Sequence, residues 1–146
     1  MYKHILVPTD GTPLSLKAVR TAAELAKTTK ARVTAIHVMQ PFDPQMTSEG
    51  VAFRAGHLMR EYEDHVRANA KKVLAKATAT LKAAACDTVA VFDDRPWEAI
   101  IKAAAKRKCD VIVMASHGRG GIASLLLGSE TQKVLAHSKT PVLVCR

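Results

Sequence analysis

Five short apolar runs, each of strand length and each separated from the next by a longer stretch, leave this chain few ways to fold. They are Ile5 to Pro8, Val33 to Met39, Thr88 to Phe92, Val111 to Ala115 and Pro141 to Cys145. Their apolar residues are consecutive, not alternating, which is the pattern of strands buried on both faces. Strands of that kind need helices above and below them, and connections long enough to bring each strand back parallel to the last.

The stretches between the runs read as helices. Thr12-Pro13 is a hydroxyl cap followed by a first-turn proline, and Ala18, Ala22, Leu25 and Ala26 follow at helical spacing. A longer helix is predicted from about Leu58 to Ala84, where Leu58, Tyr62, Val66, Ala70, Val73, Ala77 and Leu81 recur on one face. Pro96 opens a third helix through Trp97, Ile100, Ile101 and Ala104. Ser129-Glu130-Thr131-Gln132 has the form of a capping box, so Ser129 is expected to cap a fourth helix. Five strands alternating with four helices predict one α/β domain over residues 1–146: an open parallel sheet with right-handed crossovers and helices on both faces, in the Rossmann-like manner. Gln40 to Gly56, with Pro41, Pro44, Gly50 and Gly56, is the irregular stretch and reads as a surface flap or an ordering loop.

Composition narrows the function classes. Aromatic residues are 4% of the chain, too few for the stacking surface that binds single-stranded nucleic acid, so a nucleic-acid partner is disfavoured. Twenty-two Lys and Arg against 13 Asp and Glu give a net charge of +9, which favours anionic partners. Solvated helix faces and helix C-termini are the simpler account of such a surplus. Cys86, Cys109 and Cys145 are odd in number and lack C-x-x-C spacing, so they read as small buried hydrophobes and not as a disulfide or zinc framework. With no secretory apolar region at the N-terminus and no apolar stretch near the ~20 residues of a membrane span, the expectation is a cytoplasmic protein with no membrane partner.

Open α/β sheets bind ligands beyond the carboxyl ends of their strands, where strand order reverses. Two strand ends here carry turns richer than a connection needs: Pro8-Thr9-Asp10-Gly11-Thr12 after the first, and Ala115-Ser116-His117-Gly118-Arg119-Gly120-Gly121 after the fourth, running on to Gly128-Ser129. With strand order 3-2-1-4-5 the two turns face one crevice, and glycines beside a helix start make a phosphate cradle. Neither standard phosphate motif is present: there is no G-x-x-x-x-G-K-[ST], and Ala123 breaks G-x-G-x-x-G. Taken alone, a glycine-rich loop serves as well as a flexible connection. Asp10 suits an Asx-turn or a helix cap as well as a ligand contact, and His117 suits an exposed loop. His37 reads as a satisfied core histidine, and Trp97 as a helix-to-sheet packing residue with Asp93 and Asp94 solvated at the helix entrance.

End to end, the chain resembles the universal stress protein family. The resemblance lies in Ile5-Leu6-Val7-Pro8-Thr9-Asp10-Gly11, in His37-Val38, in Ala115-Ser116-His117-Gly118 followed after nine residues by Gly128-Ser129, and in Thr140-Pro141-Val142-Leu143-Val144. The ATP-binding branch of that family carries Gly, two residues, Gly, nine residues, then Gly with Ser or Thr; Gly118, Gly128 and Ser129 match, and Ala115 replaces the first Gly. A methyl there is accommodated if φ is negative and clashes if φ is positive. The resemblance implies an adenine nucleotide alpha hydrolase-like fold that binds ATP, with Mg²⁺ or Mn²⁺ on the phosphates. Pro8, Asp10 and Val38 would border adenine and ribose, with Thr9 between the first two. Ala115, Ser116, His117, Gly118, Arg119, Gly120, Gly121 and then Ser129, Glu130 and Thr131, with Gly128 at the turn, would hold ribose and phosphates. It also implies a stress-response regulator or protective factor, dimeric through Thr140 to Cys145, with slow ATP hydrolysis at most, since no residue is an evident catalytic base. The alternative is an interaction module of the same fold that binds no nucleotide, a reading that Ala115 keeps open.

Overall fold

Side-chain parity along the strands explains the architecture. The computed structural model describes residues 1–46, 55–82, 84–118 and 127–146. Among them are the strands β1 (His4–Pro8), β2 (Arg32–Met39), β3 (Cys86–Phe92), β4 (Val111–Ala115) and β5 (Val142–Cys145), and the helices α1 (Pro13–Thr29), α2 (Ala55–Leu81), α3 (Pro96–Lys106) and α4 (Ser129–His137). All strand pairs are parallel and the order is β3-β2-β1-β4-β5. Ile5 and Val7 of β1, Val33 and Ala35 of β2, and Val111 and Val113 of β4 pack against Ala18, Ala22 and Ala26 of α1 and Leu74 and Ala77 of α2. Their neighbours Leu6, Ile36, Ile112 and Met114 point the other way, onto Ile100 and Ala104 of α3 and Val134 of α4. Both faces are covered, hence the unbroken apolar runs.

That rule stops at the sheet edges. β3 and β5 have a strand on one side only, and most of their residues are partly or fully exposed. The expectation that all five strands are buried on both faces therefore fails for these two. β3 also begins earlier than its apolar run, because Cys86 and Asp87 pair with Val33 and Thr34 although Asp87 faces solvent. Pro141 precedes β5 and contributes only its carbonyl, to Ile112 N–H at 2.9 Å.

The helix ends follow from local chemistry. Thr12 caps α1, its Oγ1 accepting the Ser15 N–H at 3.3 Å with Pro13 in the first turn, as expected. α2 overlaps most of its predicted window but starts and ends a few residues earlier, at Ala55 and Leu81, and Lys82, at φ 46°, ends it in the left-handed conformation. The capping box at α4 is not formed. Gly128 is the N-cap, without a side-chain cap bond, and Ser129 is the first helical residue. Gly128 donates its N–H to Ser116 O at 2.7 Å, and this tertiary bond fixes the turn one residue ahead of the hydroxyl.

At the amino end of the sheet the polar groups are latched together. Buried His4 makes two ring hydrogen bonds: Nδ1 donates to Arg107 O at 3.0 Å, and Nε2 pairs with Thr34 Oγ1 at 2.8 Å. Asp110 accepts the backbone N–H groups of Lys3 at 2.8 Å and His4 at 3.2 Å. Cys109 and Cys145 are buried, and burial pushes the Cys109 thiol up to about 11; Cys86 is only half-buried, so it departs from the expected burial of all three. Trp97 packs on the α3–α4 side of the core, as expected, and its ring lies 4.9 Å from that of His137. Of residues 40–56, Pro44–Met46 forms a 3-10 turn and Gln40 O accepts the Tyr62 hydroxyl at 3.0 Å; residues 47–54 lie outside the described residues. No described helix is long and apolar enough to cross a membrane.

Candidate functional site

The turn after β1 is built by short side chains bonding to nearby backbone. Thr9 N–H continues the ladder to Ile36 O at 2.9 Å, and Thr9 Oγ1 lies 3.0 Å from Ser15 Oγ. Asp10 forms an Asx-turn, its Oδ1 accepting the Thr12 N–H at 3.0 Å and the Thr12 hydroxyl at 2.6 Å. Gly11 has φ +80°, a conformation that a side chain would strain. His37 Nδ1 lies 2.8 Å from Thr9 O, and because a carbonyl only accepts, the proton sits on Nδ1. His37 is thus hydrogen-bonded as expected, but it stands at the end of β2 against the cavity described below and not in the core.

The turn after β4 is held to α4 by equally local means. Thr131 Oγ1 donates to Ala115 O at 3.0 Å, inside the protein, and Gln132 Nε2 donates to Leu127 O at 2.6 Å. Ala115 is the last residue of β4 and is not among the described residues with positive φ; it belongs to the core cluster on the α1 side. A side chain is therefore tolerated where the family spacing has glycine. Gly118 and Gly128 are tighter: a Cβ on Gly118 would meet Asp10 Oδ2 at 3.0 Å, and one on Gly128 would meet His117 Cα at 3.0 Å. Ser116 Oγ and His117 Nδ1 are buried without a hydrogen-bond partner.

Between the two turns lies a cavity of about 390 Å³, within the range of small-molecule sites. Of the residues expected at a ligand site, Pro8, Thr9, Asp10, Val38, Ala115, His117, Gly118, Gly128, Ser129, Glu130 and Thr131 line it. Ser116 is buried beside it without lining it, and Arg119, Gly120 and Gly121 lie outside the described residues. Reading the sequence missed Ser15, Ile36, His37, Pro96, Ile100 and Met114. Ile36 and Met114 were within reach, since they lie on the same face of β2 and β4, the two strands that flank β1. Pro96 and Ile100 arrive through the packing of α3, which no local pattern announces.

The cavity is apolar along Ile36, Val38, Ile100 and Met114 and polar towards Asp10, His37, His117 and the first turn of α4. An apolar slot beside free N–H groups at a helix start suits a flat heterocycle bearing an anion. Among the described residues no group of three or more His, Cys, Asp or Glu could hold a metal ion. A divalent ion would have to arrive on ligand phosphates, with at most one or two carboxylates of the protein.

Known proteins share this architecture. The model of the universal stress protein family matches residues 1–146. A universal stress protein encoded beside a sulfhydrylase gene in Thermus aquaticus is 36% identical over 146 residues, covering all of both chains. The solved structure of MJ0577, a universal stress protein of Methanocaldococcus jannaschii, is 27% identical with a TM-score of 0.82, over 99% of this chain and 96% of that one. A universal stress protein solved in complex with cAMP is 27% identical with a TM-score of 0.68, over 99% and 97% of the two chains. One from Archaeoglobus fulgidus, solved with dAMP, is 18% identical with a TM-score of 0.72, over 99% and 98%, a likeness of fold alone. Sequence, strand order and the paired turns at the switch point thus agree: the chain belongs to the universal stress protein family.

Proposed function

We propose that the cavity binds ATP, with the adenine against Ile36, Val38, Pro8 and Asp10 and the phosphates towards Gly118, Gly128 and the start of α4, and that the protein acts as a nucleotide-loaded stress-response regulator. The observation that carries this reading is the convergence of an apolar slot, two closely approached glycines and a helix N-terminus on one cavity. The orphaned Nδ1 of His117, a lining residue, supports it, since a polar ligand supplies a partner that the protein does not. The adenine nucleotides bound by two relatives of the same fold support the choice of base. Mg²⁺ or Mn²⁺ would accompany the phosphates. Hydrolysis is slow at most, since the carboxylates among the described lining residues are engaged with the protein, Asp10 in its Asx-turn and Glu130 on the Trp97 N–H. We further propose that the protein works in the cytoplasm as a dimer joined along β5, where Leu143 is 43% exposed and the strand carries no charge.

Calorimetry and thermal melting test the nucleotide reading together. ATP with Mg²⁺ should bind and, at a hundred times its dissociation constant, stabilise the fold by about 2.7 kcal/mol. Neither heat of binding nor a shift in melting temperature at millimolar ATP would overturn it in favour of an interaction module that needs no nucleotide.

A further inference from the structure

Two helices begin at the rim of the cavity, α3 with Pro96 and α4 with Ser129, and both residues line it. Each helix start carries partial positive charge, so their meeting place attracts an anion; in α3 the Glu98 and Ala99 N–H groups turn back to Arg95 O, and Pro96 has none, which leaves the Trp97 N–H as the donor to be satisfied. Neither helix supplies its own side-chain cap, since Arg95 and Gly128 make no cap bond. The anion at this junction is the protein's own. Glu130, in the first turn of α4, lines the cavity, and its Oε2 accepts the Trp97 N–H in the first turn of α3 at 2.9 Å. One carboxylate therefore serves both helix ends. Lys133 Nζ, one turn along α4, stands 3.6 Å from Glu130 Oε1, with both side chains partly exposed. The other carboxylate lining the cavity among the described residues is Asp10, and no described Lys or Arg lines it.

We propose that Glu130 is a specificity-determining residue of this cavity: it discriminates against phosphate charge, so that adenine ligands are favoured as their phosphates become fewer or are neutralised by a divalent cation. The proposal rests on the adenine-nucleotide reading above. A phosphate drawn to the start of α4 meets a fixed negative charge where an uncapped helix would offer only attraction. A like charge about 8 Å from the nearest phosphate charge in a partly exposed site, at an effective dielectric of roughly 30, changes affinity on the order of tenfold, and more distant charges are screened and add little. Adenosine has no charge to repel, so its affinity does not depend on Glu130.

Glu130→Gln isolates the charge, because the amide oxygen still accepts the Trp97 N–H. Adenosine, AMP and ATP are titrated by calorimetry into wild type and variant, in EDTA and again with Mg²⁺. Expected are an adenosine affinity unchanged within about twofold, a gain of on the order of tenfold for ATP in EDTA, a smaller gain for AMP, and a narrower ATP difference with Mg²⁺. Lys133→Gln, at a residue that does not line the cavity, removes the neighbouring cation and should weaken ATP about threefold while sparing adenosine. An ATP-to-adenosine ratio equal in all three proteins overturns the proposal and leaves the nucleotide reading standing. A common shift of all three ligands in Glu130→Gln also overturns it, since that reports the packing of α3 and not charge. Failure of wild type and both variants to bind any of the three ligands removes the nucleotide reading and this proposal with it.

Discussion

A methyl group at Gly128 would stand 3.0 Å from His117 Cα and 3.3 Å from Ser116 O, both backbone atoms of a turn that cannot retreat without breaking the Gly128 N–H bond to Ser116. At Gly118 the obstacle at 3.0 Å is the end of the Asp10 side chain, which can rotate away. Gly128→Ala should therefore cost about 1–3 kcal/mol of stability, as overpacking does, and Gly118→Ala less than about 1 kcal/mol, with its main effect on ligand affinity. Urea denaturation of the two variants, beside ATP titration of each, reads the order, and a reversed order would mean that the two glycines have been given the wrong roles. The spacing of these glycines is plain in the sequence, but the atom each one makes room for is not, because His117 and Asp10 reach them only through the fold. Ser129 departs from its expected capping role for the same reason: cap preference is local, whereas the position of the turn is set by the Gly128 bond to Ser116. His37 Nδ1 likewise finds Thr9 O across two strands, a pairing that parity along β2 does not disclose.

Among the elements, the central strands are the most legible, since a run of consecutive apolar residues marks a strand covered on both sides. β4 was located to the residue, Val111–Ala115. The edges were harder, because Asp87 and Thr88 of β3 are held by backbone pairing and not by burial. β5 is the edge with a consequence. The carbonyls of Pro141 and Cys145 bond β4, and a strand residue presents its N–H and C=O to the same side, so Leu143 also faces β4 while Val142 and Val144 present theirs outward. Val144→Pro should abolish the proposed dimer and leave the monomer folded. Leu143→Pro removes a bond to β4 and should destabilise the monomer itself. Light scattering with denaturation separates the two effects: a wild type that is monomeric at micromolar concentration, or a Val144→Pro protein that stays dimeric, rules the interface out.

At the scale of the whole molecule, the amino end of the sheet sets the response to acid. Burial, with the nearby Arg32 and Arg107 adding to it, holds the His4 pKa below its ordinary 6.5, against the opposing bond to Arg107 O and the charge of Asp110. The unfolded chain binds that proton more readily, so the contribution of neutral His4 is fully present above pH 6.5 and is lost as pH falls from there through the folded value. Denaturation midpoints followed from pH 7.5 to 5 should fall more steeply for wild type than for His4→Gln, which starts lower and has no imidazole to charge; parallel curves would mean that other groups govern acid sensitivity. This latch of His4, Thr34, Arg107 and Asp110 lies at the opposite end of the strands from the cavity, with the packed core between them. Substitutions around the cavity and substitutions at the latch are thus nearly independent ledgers, and variation can rewrite one without disturbing the other. A lineage carrying this chain can drift in what it recognises while its persistence in the cell is judged elsewhere, so related proteins can diverge in ligand long before they diverge in shape.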